Sequence, residues 1–242
     1  MTRFEITYLC AERLLPALYG SVRRRLVELA SSREGRPSLL DVGGRKSHYT
    51  IGVPAAVIIS DLPRHTQIRK RLHLGIDTEI ARQTHRRRSN VRGILYDDMT
   101  RSSFRDCCFD CVAAVEVLEH VAADAAFLEE VRRVLKPSGM FLMTTPNGDS
   151  VPNHNPDHKR HYTREQLRSL LTSTFGNGEV EYAIPNGIFY SLGLRPWSGK
   201  HPVRTMLSMV GALVNSMKSR RSSVKQQARG TQHLLGMARK AN

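Results

Sequence analysis

Aromatic residues make up only 6% of the 242 residues, with a single tryptophan, and there are four cysteines. So few cysteines in a chain of this length rule out a disulfide scaffold and agree with a reducing, cytoplasmic setting. No run of about 18 uncharged apolar residues occurs, which argues against a membrane-spanning helix. The first eight residues carry Arg3 and Glu5 and lack the apolar centre of a signal peptide. Few aromatics also argue against a stacking platform for single-stranded nucleic acid. From Tyr182 to Asn242 there is no acidic residue.

Apolar residues reach 40% and charged residues 24%, enough for one sizeable core. Lys and Arg number 37 against 22 Asp and Glu, a net charge of +15. That excess concerns partners and solubility rather than fold. Arg23-Arg24-Arg25, Arg69-Lys70-Arg71, Arg86-Arg87-Arg88 and the tail carry it. Either these clusters meet a polyanion (nucleic acid, an acidic lipid surface, an anionic glycan) or they form a solvated face.

Three regions separate by composition. Residues 1–36 read as a helical lid segment, with Leu14, Leu15, Leu18, Val22, Leu26 and Leu29 at helical spacing. Residues 37–198 alternate short apolar runs with amphipathic stretches, the pattern of a doubly wound, mostly parallel α/β sheet. Residues 199–242 read as a basic helical extension, partly disordered after Ser219. Expected strands are Ser38 to Val42, Ala55 to Ser60, Gly93 to Tyr96, Phe109 to Val115 and Met140 to Thr144. A last pair is expected from Glu179 to Ala183 and around Gly187 to Leu194. A helix is expected over Ala122 to Leu135, and Thr163 to Gln166 reads as a capping box. Asp77 to Asn90 reads as an insertion that helps to cover an acceptor. The apolar helix Met206 to Met217, with its basic end, suits a membrane face, the domain surface or a second subunit.

The expected strands end at acidic or turn residues, so a cleft at their carboxyl ends follows. The first ends in Asp41-Val42-Gly43-Gly44-Arg45-Lys46-Ser47. Glycines there let the backbone approach a ligand. Asp61 follows Asp41 by about twenty residues, the placement from which a carboxylate receives ribose hydroxyls.

This segment, with Asp98-Met99, Val115-Glu116-Val117-Leu118-Glu119-His120, Lys136-Pro137-Ser138-Gly139 and Thr145-Pro146-Asn147, resembles class I S-adenosylmethionine-dependent methyltransferases. Within them it looks closest to the group of ubiquinone-biosynthesis and polysaccharide-cluster enzymes. The resemblance covers about residues 38–175 and implies a Rossmann-like seven-stranded sheet and S-adenosylmethionine as cofactor. It implies Asp41, Gly43 and Gly44 beside the methionine part, Asp61 on the ribose with Leu62 beside the adenine, and Asp98 and Met99 at the adenine. Glu116 would line the junction with the acceptor. Arg45 and Ser47 depart from the family, which usually has further glycines there.

Methyl transfer to a hydroxyl benefits from a base, and His120, Glu116 and His161 are the candidates, with His158 beside them. Glu116, Glu119, His120 and His158 also resemble the divalent-metal set of small-RNA 3′-end methyltransferases, although the same string occurs in enzymes without metal. Cys107, Cys108 and Cys111 lack a matching second pair for zinc, and Cys10 reads as core. The expected reaction is transfer to an oxygen of a small-molecule, glycan or lipid-linked acceptor. The rivals are an RNA methyltransferase with a metal-assisted site and a methyltransferase-fold binding protein without activity.

Overall fold

The computed structural model describes residues 1–44, 48–63 and 75–242. Expectations resting on Arg45, Ser47 and the cluster Arg69-Lys70-Arg71 fall outside the described residues.

Among the described residues seven strands form one sheet: β1 (Ser38–Val42), β2 (Ala56–Asp61), β3 (Val91–Tyr96), β4 (Phe109–Val115), β5 (Leu135–Pro146), β6 (Glu179–Pro185) and β7 (Thr231–Arg239). Their order is β3-β2-β1-β4-β5-β7-β6. The first five pair in parallel, and β7 runs antiparallel between β5 and β6. The helices are α1 (Arg3–Ala11), α2 (Ala17–Ser31), α3 (Thr78–Arg87), α4 (Asp124–Val134), α5 (Arg164–Phe175), α6 (Ile188–Gly193) and α7 (Pro202–Lys218).

Alternation along the strands builds two cores. Leu40, Val112, Ala114, Phe141 and Leu234 meet Phe127, Leu128 and Val131 of α4 and Leu167 and Leu171 of α5. Leu39, Val57, Ala113, Leu142 and Leu235 meet Leu18, Val22 and Leu26 of α2 on the other face. The doubly wound, mostly parallel architecture is as expected. The Thr163 capping box is formed, its side chain accepting from Gln166.

Four expectations are corrected. The last strand comes from the tail: Thr231–Arg239 pairs with both neighbours, so 199–242 is neither wholly helical nor partly disordered. Its Leu234, Leu235 and Ala238 are core, and that burial outweighs the basic composition around them. Gly187 to Leu194 is helical, not a strand: it forms α6, which packs on α7, so tertiary contact overrides the β-prone Ile188, Phe189 and Tyr190. Residues 77–90 are not an insertion but the crossover helix α3 that joins parallel β2 and β3, with Asp77 accepting from the Ile80 amide at its start. Residues 1–36 are helical as expected, and α2 forms a layer of the core. Cys10 is exposed rather than core, while Cys111 is buried as its strand position requires.

Candidate active site

The carboxyl ends of β1, β2, β4 and β5 and the amino end of the antiparallel β7 converge. Asp41 is fully buried at the end of β1. Tyr49 Oη donates to its carboxylate at 2.6 Å and Thr50 Oγ1 at 3.3 Å. Burial and the Asp41 charge hold the Tyr49 hydroxyl well above its ordinary value, so it stays a donor. The Arg88 guanidinium, itself buried, donates to Thr50. Asp41 therefore supports the turn above it from beneath.

That turn has no room for side chains. Gly43 has φ +69°, and a Cβ there would lie 2.8 Å from Val117 Cγ2. A Cβ on Gly44 would lie 2.4 Å from the Asp41 carboxyl carbon. Both positions are restricted to glycine, which leaves bare backbone at the sheet edge. Val117 follows Glu116, so the turn and the end of β4 touch.

Asp61 ends β2, its carboxylate accepting from the Leu62 amide at 2.8 Å, and both residues are part-exposed. Asp98 follows β3 and accepts from the Thr100 amide at 3.0 Å and hydroxyl at 2.7 Å, which fixes its loop. Met99 is 4% exposed and packs into the core. These positions form an arc across β1, β2 and β3, a cradle of bare backbone flanked by carboxylates.

Glu116 stands at the end of β4 in left-handed backbone, φ 55°. A non-glycine residue in that region carries strain of about 1–3 kcal/mol that the fold around it must offset. Here its amide donates to the Thr144 carbonyl at 3.1 Å. The strained backbone aims the carboxylate at two donors, Thr144 Oγ1 at 2.9 Å and His233 Nδ1 at 3.2 Å. Burial alone would raise its pKa, but His233 and Thr144 together hold it below the usual range. One turn on, Glu119 is fully buried, and burial with the Glu116 charge pushes it well above the usual range. Neither of its oxygens has a hydrogen bond of good geometry; the Thr145 hydroxyl interacts with it from outside that geometry. The two carboxyls are thus driven apart in acidity, Glu116 downward and Glu119 upward.

The loop from Asn147 to Tyr162 closes over this turn, the Lys159 amide donating to the Glu119 carbonyl at 2.6 Å. His161 Nδ1 lies 2.9 Å from the Val151 carbonyl, and His161 Nε2 lies 2.8 Å from His158 Nδ1. A carbonyl only accepts, so the wiring gives His161 its proton at Nδ1 and His158 its proton at Nδ1. Both nitrogens of His161, a base candidate from the sequence, are engaged, and it orients His158. His120 Nδ1 faces the Asp157 carbonyl at 3.2 Å, and its ring meets that of His158 edge-on at 4.6 Å. Glu119, His120 and His158 each offer one atom within 4.8 Å of the others, a set that can hold a cation. Glu116, the fourth expected member, turns to His233 instead.

His233 escaped the sequence reading because it lies in the tail. It is 8% exposed, and its Nε2 faces Tyr190 Oη of α6 at 3.4 Å. Burial, with the Glu116 charge behind it, pushes the Tyr190 hydroxyl up to about 12. Tyr19 of α2 is raised by the same two causes. Glu116, His233 and Tyr190 form a chain from β4 through β7 to α6.

A few of the basic side chains are engaged within the fold. Arg23 pairs with Glu12 at 3.2 Å and Arg25 with Glu181 at 3.1 Å. Arg87 lies over the Phe4 ring, 5.6 Å from its centre, and Arg88 is buried. These side chains do not form a free polyanion face.

Comparison with known proteins agrees with this layout. A methyltransferase-domain family pattern matches residues 65–143. A probable S-adenosylmethionine-dependent methyltransferase of Mycolicibacterium smegmatis is 30% identical over 207 residues, 80% of this chain and 73% of that one. One from Mycobacterium tuberculosis is 34% identical over 102 residues, 40% of this chain and 35% of that protein. Among solved structures, Haemonchus contortus phosphoethanolamine N-methyltransferase 2 with phosphomonomethylethanolamine and S-adenosylhomocysteine superposes with a TM-score of 0.60. It is 16% identical, covers 91% of this chain and 52% of that chain, and is a likeness of fold.

Proposed function

Because this chain belongs to the S-adenosylmethionine-dependent methyltransferases and is a transferase using that cofactor, we propose that its acceptor is a hydroxyl activated by Glu116 and His233. The hydroxyl belongs to a small-molecule, glycan or lipid-linked acceptor. The observation that carries this is the 3.2 Å contact between the Glu116 carboxylate and His233 Nδ1 beside the glycine turn.

The bare turn at Gly43 and Gly44 suits the methionine part, Asp61 the ribose hydroxyls with Leu62 at the adenine, and Asp98 the adenine amino group. Met99 supports that end from below. When bound, S-adenosylmethionine supplies a methyl group already activated on a sulfonium. The chain has to align the acceptor, exclude water and take a proton. A carboxylate only accepts, so Glu116 fixes the His233 proton on Nδ1 and leaves Nε2 bare. Nε2 faces the Tyr190 hydroxyl, whose place an acceptor hydroxyl takes to give up its proton. Thr144 holds Glu116 in place. A neutral amine acceptor would need no such base, which is why oxygen is favoured over nitrogen. The ion pairs of Arg23 and Arg25 and the burial of Arg88 weigh against RNA at these positions.

The test has two stages. Calorimetric titration with S-adenosylhomocysteine should give micromolar binding, weakened roughly 100-fold in Asp61→Ala by loss of charge-assisted hydrogen bonds. Radiolabelled methyl transfer to lipid, glycan and RNA pools should then favour the first two. His233→Asn should slow turnover about 100- to 1,000-fold with homocysteine-cofactor affinity unchanged. Transfer to RNA that falls steeply with salt, or full turnover in His233→Asn, would overturn the reading.

A further inference from the structure

Helix α7 is amphipathic the wrong way round for a surface helix. Its inward stripe is small and polar: Ser208, Gly211, Ala212 and Asn215. Its outward stripe is large and apolar: Val203, Met206, Leu207, Val210 and Met217, between 43% and 66% exposed. These five recur at three-, four- and seven-residue steps and so share one face. The stripe covers about 20 Å of helix at about 1.5 Å per residue.

The orientation is locked from inside. Ser208 Oγ donates to the Arg195 carbonyl at 2.8 Å, and Asn215 Nδ2 donates to the Pro185 carbonyl at 2.9 Å. Turning the helix over would bury large side chains where small ones fit and strand these polar groups. The apolar face is therefore built to point outward.

Trp197, the only tryptophan of the chain, extends that face and lines one shallow surface pocket with Pro202 and Met206. Arg195, Lys200 and Arg204 stand exposed around it, and Arg220 and Arg221 stand exposed past the other end of the helix. No acidic residue occurs anywhere in 182–242. Among the described residues no helix is long and apolar enough to cross a membrane.

We propose that the outward face of α7, with Trp197 and its cationic rim, docks the protein in the plane of an anionic membrane surface. An apolar stripe between cations and a tryptophan at its edge suits the boundary between lipid tails and anionic headgroups. A second copy of the chain fits less well, because its own cationic rim would face this one. The docking face and the cleft share a short element: α6 packs on α7 and carries Tyr190 against His233. Resting on the methyl-transfer reading, this places a lipid-linked hydroxyl within reach of the cleft without leaving the surface.

The experiment uses the full chain with vesicles of phosphatidylglycerol and phosphatidylcholine, and with phosphatidylcholine alone. The protein should float with the anionic vesicles, at least tenfold less with neutral ones, and the Trp197 emission should shift to the blue on binding. Met206→Glu with Val210→Glu should abolish flotation while thermal stability and S-adenosylhomocysteine affinity stay unchanged. No flotation and no Trp197 shift with the unaltered chain would overturn the proposal. So would a double variant that still floats, or one that only converts a dimer to a monomer, which would make the face a subunit interface. Flotation without methyl transfer would sink the functional reading alone; cofactor binding without flotation would sink docking alone.

Discussion

Asp110 sits at the start of β4, at the sheet end opposite Glu116. Its carboxylate accepts from the Ser38 amide at 2.9 Å, the Ser38 hydroxyl at 2.7 Å, Lys136 Nζ at 2.8 Å and Arg33 at 3.4 Å. Burial would raise its pKa, but these donors together hold it at about 2, below an unfolded value of 3.8. A depressed carboxylate stabilises the fold above its unfolded pKa and loses that effect as pH falls through its folded pKa. The difference converts to about 2.5 kcal/mol at pH 7, cut by partial solvent contact to about 1–2 kcal/mol. Urea unfolding of Asp110→Asn against the parent chain should give that gap at pH 7, with Tm about 4 °C lower. At pH 3 the gap should shrink to about half, since titration runs between roughly 4 and 2. S-adenosylhomocysteine affinity should not change, because the cofactor end is at the other edge. A gap that stays constant with pH would mean the loss is packing and would refute the electrostatic account.

Gly44→Ala should weaken S-adenosylhomocysteine at least tenfold in calorimetry and destabilise by about 1–3 kcal/mol, because its Cβ would overlap the buried Asp41 carboxyl. Leu234→Ala, at a fully buried β7 position, should cost about 2–5 kcal/mol in denaturant unfolding, which a disordered tail would not show. Thr144→Val removes a donor to Glu116 and should lower kcat about tenfold with cofactor affinity unchanged, measured by steady-state transfer.

The first five strands were legible as short apolar runs, the pattern of parallel strands, though the edge strand β3 is largely part-exposed or exposed. Leu39, Leu40, Val57, Val112 and Phe141 announce themselves, and the acidic residues at their ends follow from the cleft. The crossover α3 was not legible, since it buries no residue of its own and carries three basic residues in its last turn. Its place is set by connectivity: parallel neighbours need a crossover whatever its surface looks like. Glycine restriction at Gly43 and Gly44 was legible as a motif, but its cause, contact with Val117 and Asp41, is a tertiary fact.

The catalytic end was only half legible, and the reason is topological. Glu116, Glu119 and His120 lie next to one another in sequence, and their turn can be read as a string. The partner that gives Glu116 its direction lies 117 residues away, on a strand that enters the sheet antiparallel between β5 and β6. Local composition gave no hint, since Arg229, Arg239 and Lys240 surround that strand with charge. Sequence reasoning then filled the missing base from the nearest histidines. In the structure His161 has both nitrogens engaged, and His120 and His158 gather around Glu119 rather than Glu116. The strained backbone of Glu116 marks the difference, because left-handed geometry persists only where its surroundings, here Thr144 and His233, hold it.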